Sequence, residues 1–238
     1  GKGLVLAVAN SVAAQSSTLR QLQVNRNQIE ATSNPIDITT TRVNAYSLDV
    51  SYNQLHVTAS DHHGITLSNL SGSSLGDTDK GFYGLSLCQN TIQEYGGNAA
   101  TDYAGIRIYG PHQNADTSLQ DLVVMGNNIT TSRSHSIGIL LEQVLGGQRG
   151  VSIQGNNITF TTGGNQTGMS FTSTTGAGTS WTILGNNVRG ASTTALSGGV
   201  TYNYIIVAHN TSNSVSNWGT WTSAIGAASN QTFTPNQA

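Results

Sequence analysis

The chain has 238 residues, a formal net charge of −2 and only 8% charged side chains, about a third of the usual share for a soluble domain. No run of Lys and Arg is present to neutralise a phosphate backbone, which argues against a nucleic-acid partner, and no apolar stretch approaches the length of a membrane span. A single cysteine, Cys88, rules out a disulfide framework and any zinc site built from cysteines.

The chain opens as GKGLVLAVANSV, which reads as a strand already inside a repeat, with no initiator Met, signal peptide or polar cap before it. The expectation is a fragment, a processed product or one module of a longer chain. A phrase of apolar, any, any, Asn, any, apolar then recurs. It stands at 24–29 (VNRNQI), 50–55 (VSYNQL), 87–92 (LCQNTI), 124–129 (VMGNNI), 153–158 (IQGNNI), 183–188 (ILGNNV) and, degraded, 207–212 (VAHNTS). The anchors Asn27, Asn53, Asn90, Asn127, Asn156, Asn186 and Asn210 are 26, 37, 37, 29, 30 and 24 residues apart.

Before each Asn lies a short run of period-2 alternation, as in Leu48 and Val50 or Leu85 and Leu87, the mark of a strand with one face inward. After each Asn an apolar residue points back inside. A second strand follows, often opened by Gly, as in Gly64-Ile65-Thr66-Leu67 and Gly105-Ile106-Arg107-Ile108. A third short strand per coil is expected. Repeats of this length built from strands predict a solenoid. The expected fold is all-β, a right-handed parallel β-helix of about seven coils over residues 1–213. At about 4.8 Å per coil it makes a rod roughly 30 Å long. The Asn is expected to take the left-handed turn conformation and to hydrogen-bond through its amide along the stack. Trp181 occupies an inward position of the pattern and is expected in the core. Residues 214–238 lose the repeat and are expected to form a C-terminal cap, with Trp218 and Trp221, and a polar tail.

All eleven carboxylates lie between Glu30 and Glu142, and the 96 residues from Gln143 onward carry only Arg149 and Arg189 as ionic groups. Any carboxylate chemistry therefore belongs to the second to fourth coils. Those coils hold the insertions, at 71–82 (SGSSLGDTDKGF) and 110–118 (GPHQNADTS), which are expected to project from one side of the rod. They bring Asp77, Asp79, Lys80 and His112. Tyr83, Tyr95, Tyr103 and Tyr109 flank them and suit a groove where flat rings meet sugar C–H faces.

The repeat resembles that of the pectate-lyase-like superfamily of β-helix proteins, which includes pectin-degrading enzymes, polygalacturonases and phage tailspikes, over about residues 3–212. Two strings are similar to polygalacturonase motifs. Asp61-His62-His63-Gly64-Ile65 stands where that family has Gly-His-Gly, with His62 in place of the leading Gly. Arg107-Ile108-Tyr109 stands where it has Arg-Ile-Lys, with Tyr109 in place of Lys. The family's Asn-Thr-Asp string and Asp-Asp pair are absent, and Asp37 is the one Asp on the preceding second strand.

A lyase mechanism asks for less: a base near the sugar C5 and a cation against the uronate carboxylate. The catalytic candidates are His63 or Lys80 as base, Arg107 as neutraliser and the adjoining Asp61. Asp77 and Asp79 are the candidate metal ligands, and Tyr83, Tyr103, Tyr109 and His112 the candidate sugar contacts. No cofactor is required, and calcium is the one that these residues would suit. The expected function is an extracellular or surface-displayed module that binds or processes a polysaccharide or cell-surface glycan. The alternative is a non-catalytic shaft, adhesin or tailspike-like segment, and the expected assembly is a homotrimer or part of a longer chain.

Overall fold

The computed structural model of the chain describes residues 3–9, 17–70, 81–97, 101–110, 119–142, 149–162, 164–172, 179–198, 205–212 and 231–233. Among these, all regular structure is β-strand. Three all-parallel sheets are visited in rotation by successive strands, the architecture of a parallel β-helix.

Sheet A stacks Leu4–Ala9, Ile36–Thr41, Ile65–Leu70, Tyr103–Tyr109, Ser136–Glu142, Gln166–Thr172 and Thr194–Gly198. Sheet B stacks Val43–Ser51, Phe82–Cys88, Leu119–Met125, Arg149–Gln154, Thr179–Leu184 and Ile205–Ala208, with Ser17–Arg20 and Gln23–Asn25 both pairing to its first member. Sheet C stacks the short strands Gln28–Ala31, Gln54–Val57, Thr91–Gln93, Asn128–Thr131, Asn157–Phe160, Asn187–Arg189 and Thr211–Ser212. Gln231–Phe233 adds one more parallel strand to sheet B beside Ile205–Ala208. The rest of the expected cap, Trp218 and Trp221 included, lies outside the described residues, as do 71–80 and 111–118 of the two insertions, with Asp77, Asp79, Lys80 and His112.

Each inward position continues the same column in the next coil. Leu55 stands over Ile92, Ile129, Ile158 and Val188. Ile65 stands over Ile106, Ile139, Met169 and Leu196. These side chains are wholly or almost wholly buried, each contributing about 1.5–3 kcal/mol. Trp181 is buried as expected and meets Phe171 edge-on at 5.3 Å.

The asparagines form a continuous ladder at the turn from sheet B to sheet C. Asn127 Nδ2 donates to Asn156 Oδ1 at 2.9 Å and to the Leu87 carbonyl of the previous coil at 2.8 Å. Its Oδ1 accepts from both the backbone N–H and the side-chain amide of Asn90, at 2.9 and 3.0 Å. The same pattern runs from Asn27 to Asn210. The left-handed conformation falls one residue earlier than expected. Arg26, Tyr52, Gln89, Gly126, Gly155, Gly185 and His209 have φ between 54° and 66°, and the asparagines do not. The preceding residue turns the chain so that the Asn can point inward and be held.

A second left-handed column, Gln21, Ser47, Gly84, Asp121, Gly150 and Ser180, bends sheet B one residue before the inward Leu22, Leu48, Leu85, Leu122, Val151 and Trp181. The alternation is reset there, so Tyr83 and Gly84 both face outward. At the entry to sheet A the coils approach closely: a Cβ on Gly138 would lie 2.4 Å from the Gly168 carbonyl oxygen.

Two outcomes follow in urea unfolding. Asn127→Ala strands buried donors on Asn90 and should cost about 3 kcal/mol or more, whereas Asn27→Ala, at the exposed end of the ladder, should cost about 1 kcal/mol. Equal losses would mean that the ladder does not act through buried unsatisfied groups. Gly155→Ala meets nothing within 4 Å, so it should lose only the left-handed penalty of about 1–2 kcal/mol, and Gly138→Ala should lose more through its clash.

Candidate functional site

The outward row of sheet A differs from coil to coil. It runs Asp37, Thr66, Arg107, Leu140, Ser170 and Ser197 in register. Leu140 arises because Ile139 and Leu141 both face the core, which leaves the leucine between them facing out. It joins Ala104 and Ile137 in a small apolar cluster separate from the main core. Over this cluster lies a groove of about 420 Å³, bordered by His63, Tyr103, Arg107, Ile137, Leu140 and Glu142, with Asp102 at its rim.

His63 sits at the turn into sheet A. Its backbone N–H donates to Asn34 Oδ1 at 2.9 Å, and its Nδ1 accepts the Ala104 N–H at 2.8 Å. Burial, aided by the nearby Arg107 guanidinium, pushes its pKa down to about 3. The ring is therefore neutral, and with Nδ1 occupied it presents Nε2–H, a donor. Tyr103 leans on it at 5.2 Å between ring centroids.

Arg107 donates through both Nε and Nη2 to Glu142 Oε2, at 3.0 and 2.7 Å, and its guanidinium lies 4.6 Å from the centre of the Tyr109 ring. Both members of the pair are about a quarter exposed. Among the described residues, Arg107 Nη1 and Glu142 Oε1 have no hydrogen-bond partner. Asp102 lies 3.6 Å from His135 Nδ1.

Of the residues expected at a site, His63, Tyr103 and Arg107 border one groove, and Tyr109 supports Arg107 from beside it. Asp61 sits behind Tyr103. Its backbone N–H donates to the Gly96 carbonyl, and its Oδ1 and the Tyr103 ring converge on Gly97, where a Cβ would lie 2.6 Å from that oxygen. Tyr83 is elsewhere, on sheet B, in a row of Arg20, Tyr46, Tyr83, Gln120 and Arg149. There its ring stacks on Tyr46 at 4.7 Å, the opposite side of Tyr46 carries Arg20 at 4.9 Å, and Arg149 Nη2 donates to Gln120 Oε1 at 2.9 Å. Tyr95 is fully buried in the core.

Ile137, Leu140 and Glu142 were not among the expected site residues. The string Ile137-Gly138-Ile139-Leu140-Leu141-Glu142 carried their signal, since Leu140 breaks the alternation of a strand with one face inward. A larger recess, about 640 Å³, lies along the bend of sheet B over Gln21, Gln23, Ser47, Asp49, Gly84 and Ser86, but it offers neither an aromatic face nor a cation.

Among the described residues, no group of three His, Cys, Asp or Glu side chains is close enough to hold a metal ion. No protein-family model, no curated protein and no solved structure matches the chain.

The His63 environment sets a pH dependence. The folded state binds the proton only near pH 3, while the unfolded chain binds it near 6.5. Stability from this group is therefore full above about 6.5 and is lost as pH falls toward 3, by at most a tenfold change in the folding equilibrium per pH unit. His63→Gln keeps an acceptor for the Ala104 N–H and should flatten the decline in urea midpoint between pH 6.5 and 5, above the range where carboxylates protonate. Parallel declines in the two proteins would show that His63 is not held neutral.

Proposed function

We propose that this β-helix, of the pectate-lyase-like type, is an extracellular or surface-displayed module that binds a polysaccharide across the outer face of sheet A without cleaving it. The observation that carries the reading is one groove that combines an apolar floor, an aromatic wall and a charged hydrogen-bonding pair. Ile137 and Leu140, backed by the buried Ala104, suit the C–H face of a sugar ring, Tyr103 adds an edge or face, and Arg107 and Glu142 offer a donor and an acceptor to hydroxyls. Its lining comes from four successive coils, through His63, Tyr103 and Arg107, Ile137 to Glu142, and Thr172, so the groove runs along the rod.

Binding is favoured over catalysis by the state of the same residues. A general base working near neutral pH needs a free lone pair and a pKa near that pH. His63 has its Nδ1 lone pair engaged, bears hydrogen on Nε2 and has a pKa of about 3. Among the described residues, the two carboxylates of a glycosidase, set across one bond, have no counterpart in the groove, where Glu142 is tied to Arg107 and Asp102 lies by His135.

The shaft reading has its own support. The Asn ladder and the row from Arg20 to Arg149 are extended devices for stiffness, satisfied within the chain.

A panel of polysaccharides, with and without calcium, separates these outcomes. The wells are read for binding, for new reducing ends and for absorbance near 235 nm, the signature of an unsaturated uronate. The expected result is binding without product, weakened at least about tenfold by Tyr103→Ala. Product of either kind would make the protein an enzyme, and no binding to any glycan would leave the shaft.

A further inference from the structure

The charge arrangement in the groove narrows the ligand further, provided that the groove is a glycan site as proposed above. We infer that it takes neutral sugars through a vicinal diol held by the Arg107–Glu142 pair, and that it rejects uronates.

A uronate carboxylate needs an uncommitted cation. Among the described residues, Arg107 is the only Arg or Lys bordering the groove, and two of its nitrogens already donate to Glu142 Oε2. An incoming carboxylate would have to displace Glu142 or share the guanidinium with it, placing two anions side by side. Among the described residues, the other His, Asp or Glu side chains at the groove are His63, neutral because its Nδ1 accepts the Ala104 N–H inside a buried turn, and the carboxylate Asp102. Counting the described side chains, Arg107 against Glu142 and Asp102, leaves the groove with net negative charge. An acidic polymer would meet repulsion at long range as well as at the pair.

The unused atoms of the pair match a diol. Arg107 Nη1 donates and Glu142 Oε1 accepts, so two adjacent hydroxyls can close a ring of hydrogen bonds, one accepting from the guanidinium and the other donating to the carboxylate. The Tyr109 ring beside Arg107 holds the guanidinium in place, and the floor of Ile137 and Leu140 meets the C–H face beside the diol. Neither half of that contact needs charge on the ligand.

The test uses the intact chain and a variant that should gain a property. Glu142→Gln removes the competing carboxylate and frees Arg107. Binding is measured by titration calorimetry at 20 and 500 mM NaCl against galactan, mannan, xylan and β-glucan, against polygalacturonate and alginate, and against chitosan. The wild-type protein should bind at least one neutral polymer and neither uronate, with an affinity that salt changes by less than about twofold. Glu142→Gln should lose about tenfold on the neutral polymer and acquire salt-sensitive binding to polygalacturonate or alginate, a gain that a misfolded variant cannot show. Adding Arg107→Gln should abolish that gain. Wild-type binding confined to uronates or to chitosan would overturn the inference and leave the glycan site standing, as would a Glu142→Gln variant that binds as the parent does. Failure to bind any polymer would overturn both.

Discussion

The fold depends on one repeated interaction, the closed set of hydrogen bonds around each buried asparagine. An amide in a protein interior must satisfy two donors and an acceptor or lose the cost of its desolvation. Here each Asn does so by bonding to the coils on both sides, as when Asn90 donates to the Val50 carbonyl and to Asn127 Oδ1. A slip of one residue in any coil would leave a buried amide unpaired above and below. The ladder thus sets register, and register sets the columns of aliphatic side chains that supply most of the burial energy. It also explains the tolerance of Arg26, Tyr52, Gln89 and His209 to a left-handed backbone. A local cost of about 1–2 kcal/mol is offset at each turn by the hydrogen bonds that the turn makes possible.

The same logic explains what the sequence revealed and what it concealed. A residue that must recur in every coil leaves a periodic trace, so the Asn phrase, the inward apolar columns and the buried Trp181 were legible. The left-handed position before the Asn was less so, because seven different coils fill it with Arg, Tyr, Gln, Gly or His. Backbone strain was tolerated there without a single residue type. The second bend was concealed for the same reason, and it shifted the outward face of sheet B by one residue. Tyr83 therefore faces outward, in a row on sheet B, whereas Tyr103 and Tyr109 belong to sheet A. Tyr95, read as one of a surface cluster, fills core space beside Gly105, whose missing side chain leaves room for its ring.

The candidate site was legible only in part. His63, Arg107 and Tyr103 were visible as unusual polar and aromatic residues beside sheet A strands. Their state was not, since nothing in a sequence tells that the Ala104 N–H will occupy His63 Nδ1 or that Arg107 will find Glu142 thirty-five residues on. Both facts come from stacking of one coil on the next. They change the chemistry from that of a base and a free cation to that of a neutral donor and a compensated ion pair.

In a solenoid, an outward row whose members satisfy one another has little left to offer a ligand. Arg20, Tyr46, Tyr83, Gln120 and Arg149 use one another's ring faces, guanidinium groups and amides. Asn128, Asn157, Asn187 and Thr211 make a second such row on sheet C, each later member donating to the one before. The row from Asp37 to Ser197 on sheet A departs from this rule. Its Leu140 contributes no hydrogen bond to its neighbours, and its Arg107 turns aside to Glu142 in the parallel outward row of the adjoining coil. The glycan reading rests on that contrast. Where like residues stack on like, the rod is built for its own stability. Where an apolar side chain interrupts a polar row and an ion pair keeps spare valences, the row leaves contacts that its own members do not use, and the proposed glycan would fill them with a C–H face and hydroxyls.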